Sequence, residues 1–142
     1  MKKAFTLIEL MIVLAILATV IGVCVLRADF LKTREAREEL AAILSMIREA
    51  KETAILTGET VELTFDVDAS KVTLTFFRRD EDPFRILEAK KLQFEKISGR
   101  EKILFSSEGF ADSGVTMRIQ GLSSEKILTV RPITGKAKVK DA

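Results

Sequence analysis

The sequence predicts an α+β chain: one long N-terminal helix, its first half apolar enough for a membrane, packed through its second half on an antiparallel β-sheet domain. Three observations carry this. No proline occurs before Pro83, so nothing interrupts a helix over the first third of the chain. A helical apolar stripe persists to Thr57 and is followed by Gly58, a good C-terminal stop. Beyond Gly58 the hydrophobic period switches from near 3.6 to 2, with serine and glycine clusters between the alternating runs.

The helix divides into two parts, 5–27 and 28–57. From Leu10 to Leu26 there are 17 residues without a charge, and counted from Phe5 the apolar stretch is 22 long with Glu9 its only interruption. About 20 helical residues cross a hydrocarbon core, so the length fits. Lys2 and Lys3 precede the stretch and by the positive-inside rule keep the N-terminus cytoplasmic. In the second part, Leu40, Ile43, Leu44, Ile47, Ala50 and Ala54 form one stripe at three- and four-residue steps. Lys32–Glu35 and Arg34–Glu38 are favourable pairs on the other face.

Residues 58–142 read as the sheet domain. Val61, Leu63, Phe65 and Val67 alternate with polar residues, as do Val72, Leu74 and Phe76, and "DAS" between them reads as a hairpin turn. "RRDEDPF" is a charged loop around Pro83. Further strands are expected at Lys91–Ile97, Lys102–Phe105, Gly114–Gln120, Lys126–Arg131 and Thr134–Lys140, separated by turns at "SSEGFADSG" and "QGLSS". A core of this size without disulfides implies modest stability outside an assembly.

Composition argues against catalysis. There is no histidine, tryptophan or tyrosine, and the one cysteine, Cys24, lies inside the apolar run. The usual general base, the commonest metal ligand and any internal disulfide are thereby removed. Net charge is +2, supplied by Lys2 and Lys3, so global attraction to nucleic acid is not indicated. Asp80, Glu81 and Asp82 lack EF-hand spacing and read as a solvated turn. "TGKAKV" lacks the upstream glycine of a phosphate-binding loop, and Ser106 and Ser107 have no base beside them. No catalytic residue, cofactor or metal is expected.

Glu9 is the residue that needs explaining. A carboxylate entering a bilayer costs about 2–4 kcal/mol. "TLIE" is a capping box in which Thr6 is the N-cap and Glu9 returns to its amide, which would account for the residue without any partner. A secretory signal fits poorly, because Leu26 stands two residues before the best small-residue exit at Ala28. A plain signal anchor leaves Glu9 unexplained.

The hexapeptide "FTLIEL", close behind Lys2-Lys3 and followed by the apolar run, resembles the type IV pilin and pseudopilin superfamily. The resemblance implies a leader, residues 1–4, removed by a prepilin peptidase between Ala4 and Phe5, with N-methylation of the new Phe5 amine. Ala4 stands where the family usually has glycine, and alanine is the nearest substitute in size. The resemblance also implies that Glu9 is an assembly residue, its carboxylate paired with the Phe5 ammonium of a neighbouring subunit. Two charges that are costly apart in the membrane then form one satisfied pair. Many members carry a helix-kinking proline in this region; here only Gly22 softens it.

"REAKETAILTGETVELTFD", "ILFSSEGFADSGVTMRI" and "ILTVRPITGKAKV" look like the H-type minor pseudopilins of type II secretion (GspH) and the FimT-type minor pilins. The implied partners are other pilin or pseudopilin subunits, the prepilin peptidase and an inner-membrane assembly platform. The implied location is a single pass through a bacterial inner membrane, with the sheet domain in the periplasm and the subunit assembled into a pseudopilus or pilus. The preferred function is a structural subunit of a type II secretion pseudopilus that assists export of folded proteins. The alternative is a minor pilin at a pilus tip that binds DNA for uptake or contributes to adhesion or motility. For that role the clustered Lys126, Arg131, Lys136, Lys138 and Lys140 are the candidates, with Lys136, Lys138 and Lys140 as the nucleic-acid contacts. The plainer reading, preferred here, is an edge strand kept soluble by its lysines.

Overall fold

The computed structural model describes residues 7–77 and 82–142, with side chains given for all of these except 24–32. Helix α1 runs Leu7–Thr57. Eight strands follow: β1 Val61–Asp66, β2 Lys71–Phe76, β3 Arg85–Glu88, β4 Gln93–Gly99, β5 Lys102–Phe105, β6 Val115–Gln120, β7 Lys126–Val130 and β8 Ala137–Asp141. The expected α+β class is what the chain adopts. It divides into two compact units, Met1–Arg34 and Glu35–Ala142.

In the first unit every described side chain from Leu7 to Val23 is exposed. A helix apolar on all sides has no polar face to give to water and is made to be covered. Among the described residues no helix is long and apolar enough to cross a membrane. The described side chains of the expected 5–27 span stop at Val23, short of the roughly 20 residues a crossing takes. The Thr6 cap, Cys24 and the Lys32–Glu35 pair likewise lie outside the described side chains.

In the second unit the end of α1 packs on two antiparallel sheets. Their strand orders are β3-β2-β1-β5 and β4-β6-β7-β8. Ile43, Ile47, Ala50 and Ala54 of the expected stripe are buried, and Leu40 and Leu44 are partly so. Ala36 and Met46 join them. Met46 precedes Ile47 directly, which widens the buried arc beyond a single row. One core receives both sheets, through Val61, Leu63, Phe65, Val72, Leu74, Ile103 and Phe105 from the first and Phe94, Val115, Met117, Ile119, Leu128 and Val130 from the second.

α1 ends where expected. Gly58 takes φ +71° and its N–H donates to the Ala54 carbonyl at 3.0 Å, a left-handed cap that suits glycine. The β1–β2 hairpin turns through Val67–Ser70, held by the Ala69 N–H donating to Asp66 Oδ1 at 2.9 Å.

Two features depart from the sequence reading. β3 was not foreseen: its four residues do not alternate, three of them are exposed, and it forms by pairing with β2. The strands also divide between two sheets, the chain crossing from β3 to β4, back to β5, then to β6. Alternation reports which residues face a core, and two sheets sharing one core give the same pattern. β4 is displaced two residues from its expected start, and its register shifts between Lys96 and Ser98, leaving Ile97 outside the pairing with β6.

The crossing from β3 to β4 is pinned to the helix. The Glu39 carboxylate accepts from three consecutive backbone amides: Lys90 at 3.1 Å, Lys91 at 3.0 Å and Leu92 at 3.2 Å. Lys91–Glu35 at 3.3 Å and Arg85–Glu49 at 3.7 Å flank it. The surface ion pairs contribute little individually; the amide clasp satisfies donors that lack strand partners.

A second clasp joins the sheets. Ala111 bridges Phe105 on one side and Ile133 on the other, with Ala111 N–H donating to Ile133 O at 3.1 Å and Ile133 N–H to Ala111 O at 2.9 Å. Gly135, at φ +62°, lies against the Phe105 ring, where a Cβ would overlap the ring edge. The Thr-Gly of "TGKAKV" is thus a packing feature.

Two outcomes test these clasps. Glu39→Ala is expected to lower unfolding free energy by about 1–2 kcal/mol, the low end for charged hydrogen bonds because the site is half-exposed. Gly135→Ala is expected to cost about 1–3 kcal/mol through strain and overpacking. Urea unfolding of both variants checks the pair, and a Glu39→Ala midpoint equal to wild type would show that water replaces the carboxylate without loss.

Candidate functional site

Two places were singled out by the sequence, one at each end of the chain. At the N-terminus, Ala4 and Phe5 lie outside the described residues. Glu9 is described: it occupies the first turn of α1, where a carboxylate meets the positive end of the helix dipole. It is exposed, and its flanking Ile8 and Leu10 are 68% and 52% exposed. Among the described residues Glu9 has no partner. A lone carboxylate on a wholly apolar helix can be satisfied by water at a bilayer edge or by a cation brought by another chain.

At the C-terminus, strand alternation sorts the basic residues. β8 is the outer strand of its sheet and pairs with β7 in the register Ile127↔Lys140, Leu128↔Val139, Thr129↔Lys138 and Val130↔Ala137. Leu128 and Val130 are buried, so Lys138 and Lys140 share the opposite, outward face with Thr129 and Ile127. Lys136 sits just before the strand, its carbonyl accepting from the Arg131 N–H at 3.0 Å. Arg131, Lys136, Lys138 and Lys140 are all exposed. Thr129, Arg131, Lys138 and Lys140 line a shallow depression of about 140 Å³. None of these four cations makes an ion pair among the described residues.

Lys126 does not belong to this strip, contrary to the sequence reading. The register places it opposite Asp141, on the face that carries Leu128 and Val130, and its ammonium pairs with the Asp141 carboxylate. Hydrogen bonding and charge from Lys126 hold the Asp141 carboxyl below its ordinary value of 3.8. The contribution of this pair is therefore present above that value and is lost as pH falls through the lowered one. On β6, Arg118 lies opposite Ile127 but is neutralised by Glu95 at 2.8 Å and Glu125 at 3.6 Å. The strip is thus confined to β8 and the connection before it.

The remaining candidates have local roles. The Ser106 hydroxyl accepts from the Phe110 N–H at 3.2 Å and its carbonyl from Gly109 at 2.8 Å, so Ser106 builds a turn. Asp80 and Glu81 lie outside the described residues. Among the described residues no group of three or more His, Cys, Asp or Glu side chains is placed to hold a metal ion. Sequence reasoning missed Glu39, because a carboxylate that meets backbone amides fifty residues away leaves no local signature.

Residues 1–25 match the family described as the prokaryotic N-terminal methylation motif. The protein named type II secretion system protein H, from Pseudomonas aeruginosa, is 32% identical over 119 residues, 76% of this chain and 66% of that protein. The chain thus spans just under two thirds of that relative. Among solved structures the fold is similar to the type IV minor pilin FimU of Pseudomonas aeruginosa, with TM-score 0.59 and 13% identity over 73% of this chain and 91% of that one. It is also similar to the minor pseudopilin EpsH from the type 2 secretion system of Vibrio cholerae, with TM-score 0.57 and 16% identity over 75% of this chain and 97% of that one. At such identities the two structures speak for the fold. With the apolar Leu7–Val23 stretch of α1, its single carboxylate and the two-sheet domain, these matches support the type IV pilin and pseudopilin superfamily: the chain is similar to an H-type protein of type II secretion and, in fold, to minor pilins and minor pseudopilins.

Proposed function

We propose that the chain is a minor pseudopilin, a structural subunit of a type II secretion pseudopilus that assists export of folded proteins across an outer membrane. The observation that carries this reading is the identity to type II secretion system protein H, joined to the methylation motif at residues 1–25. In this reading a prepilin peptidase cuts between Ala4 and Phe5 and methylates the Phe5 amine. Residues 5–27 hold the subunit in the inner membrane with its N-terminus cytoplasmic, 28–57 continue the helix, and 58–142 lie in the periplasm. An inner-membrane platform assembles it with other subunits.

Glu9 then has a mechanical part. While the subunit is dispersed, its carboxylate and the Phe5 ammonium each carry a desolvation cost at the membrane edge. Stacking brings the ammonium of one subunit to the carboxylate of the next, and the pair offsets both costs. The same electrostatics fixes axial register, because only one stagger joins the charges.

A second reading, a minor pilin that binds DNA, is favoured by one observation: the outward Arg131, Lys138 and Lys140, with Lys136 near them on the helix side of the β7–β8 connection, carry no internal counter-charge among the described residues. The lysine edge that discourages strand pairing explains the same residues with less, and it is preferred.

Two measurements test the filament reading that both share. Intact mass of protein from its native membrane is expected to give an N-methylated Phe5 start. Glu9→Ala is expected to leave membrane insertion and the folded domain unchanged while lowering co-isolation with other filament subunits by about tenfold or more. A Met1 start with indifference to Glu9→Ala would return the chain to a plain signal anchor. For the strip, DNA affinity of the triple variant Lys136→Gln, Lys138→Gln, Lys140→Gln is the test. DNA binding by the strip would give a log–log salt slope about 2–3 smaller in the variant; equal, weak binding by both proteins leaves the strip as edge protection.

A further inference from the structure

The charges on the sheet-packed half of α1 are sorted by flank. On one flank the acids are all engaged: Glu35 with Lys91, Glu39 with three backbone amides, and Glu49 with Arg85. On the other, Arg48 and Lys51 stand opposite Lys136 across a cleft of about 370 Å³ between the helix and the β7–β8 connection. Its floor includes Leu44, Ile47 and Ala137, and no carboxylate lines it. Lys51 Nζ donates to the Thr134 carbonyl at 3.0 Å. Arg48 and Lys136 make no ion pair among the described residues.

Three cations line this cleft beside an apolar floor, with no carboxylate among them. An anion entering the cleft meets three cations and no competing carboxylate. The floor sets the ligand's second requirement. Leu44 and Ile47 offer nothing to a phosphate chain, which is better served by an open ridge such as the outward face of β8. They fit an aliphatic side chain, and the volume lies within the range of built ligand sites.

We propose that this cleft is the docking site for an acidic, aliphatic-rich peptide segment presented by another filament subunit. Its carboxylates sit among Arg48, Lys51 and Lys136, and one aliphatic side chain rests on Leu44 and Ile47. The identity of the partner as a filament subunit rests on the function proposed above; the chemistry of the occupant does not.

The test uses the full chain in detergent and, as probe, a fluorescent peptide of alternating glutamate and leucine, followed by anisotropy. The peptide is expected to bind, and its glutamine analogue is not. Combining Arg48→Gln, Lys51→Gln and Lys136→Gln is expected to weaken binding by at least about tenfold. The pair Lys138→Gln and Lys140→Gln, outside the cleft, is expected to leave it within about twofold. Melting temperature of the triple variant is expected to stay level or rise, because like charges have been removed, which separates lost binding from lost folding. Absence of peptide binding, an equal loss in the Lys138/Lys140 pair, or tighter binding by duplex DNA or phosphatidylglycerol vesicles than by the peptide overturns the proposal. A processed Phe5 start without peptide binding removes the cleft alone. Peptide binding with a Met1 start removes the filament and keeps the cleft.

Discussion

The arrangement of the domain depends on one stretch of helix burying a stripe of unequal side chains. Ala36, Ala50 and Ala54 are buried in this stripe beside the bulkier Ile43, Met46 and Ile47, which supply most of its apolar volume. Neither sheet could stand alone: each has four strands and one apolar face, and each needs the helix and the other sheet to cover it. The stripe therefore does more than anchor the helix. It supplies the common surface on which two sheets meet, and the Glu39 clasp fixes the point at which the chain crosses between them.

The two parts of α1 differ in pattern to match. From Leu7 to Val23 it is apolar all round, with no preferred face. After residue 35 it carries a stripe, an acidic flank tied to the β3–β4 crossing, and a basic flank. A helix of uniform composition could not do this. The change in pattern, without a break in the helix, lets the same backbone be covered by its own domain at one end and by its surroundings at the other.

Much of this was legible in the sequence. Gly58, the absence of early proline and the switch of period gave the helix end and the first hairpin nearly to the residue, because caps, turns and alternation are local physics. β5 matched its expected bounds at Lys102–Phe105. What escaped was non-local. β3 exists by pairing with β2, the assignment of strands to sheets depends on crossovers, and Met46 is buried because two sheets need a broader helix face than one row provides. At the candidate sites, the sequence shows the cations only as a cluster, and the β8 register puts Lys138 and Lys140 on one face. The cluster did not exclude Lys126, since that required the β7–β8 register. Glu39 was hidden among other surface-helix acids, distinguishable only by what it meets in the fold.

The charges left without partners follow from the same reasoning. Inside the sheet domain, Glu35 and Glu49 on the helix meet cations, Glu39 meets backbone amides, and Asp141 meets Lys126. Among the described residues Glu9 has no partner, and Arg48 and Lys136 make no ion pair where they line the cleft with Lys51. Each site has a charge that one specific incoming group would meet: an ammonium for Glu9, a carboxylate for the cleft. The two sites are opposite in charge and lie in different compact units, so no intramolecular rearrangement of a packed domain is needed to satisfy either. Under the function proposed above, assembly with other subunits is the state in which both sites would find their counter-charges.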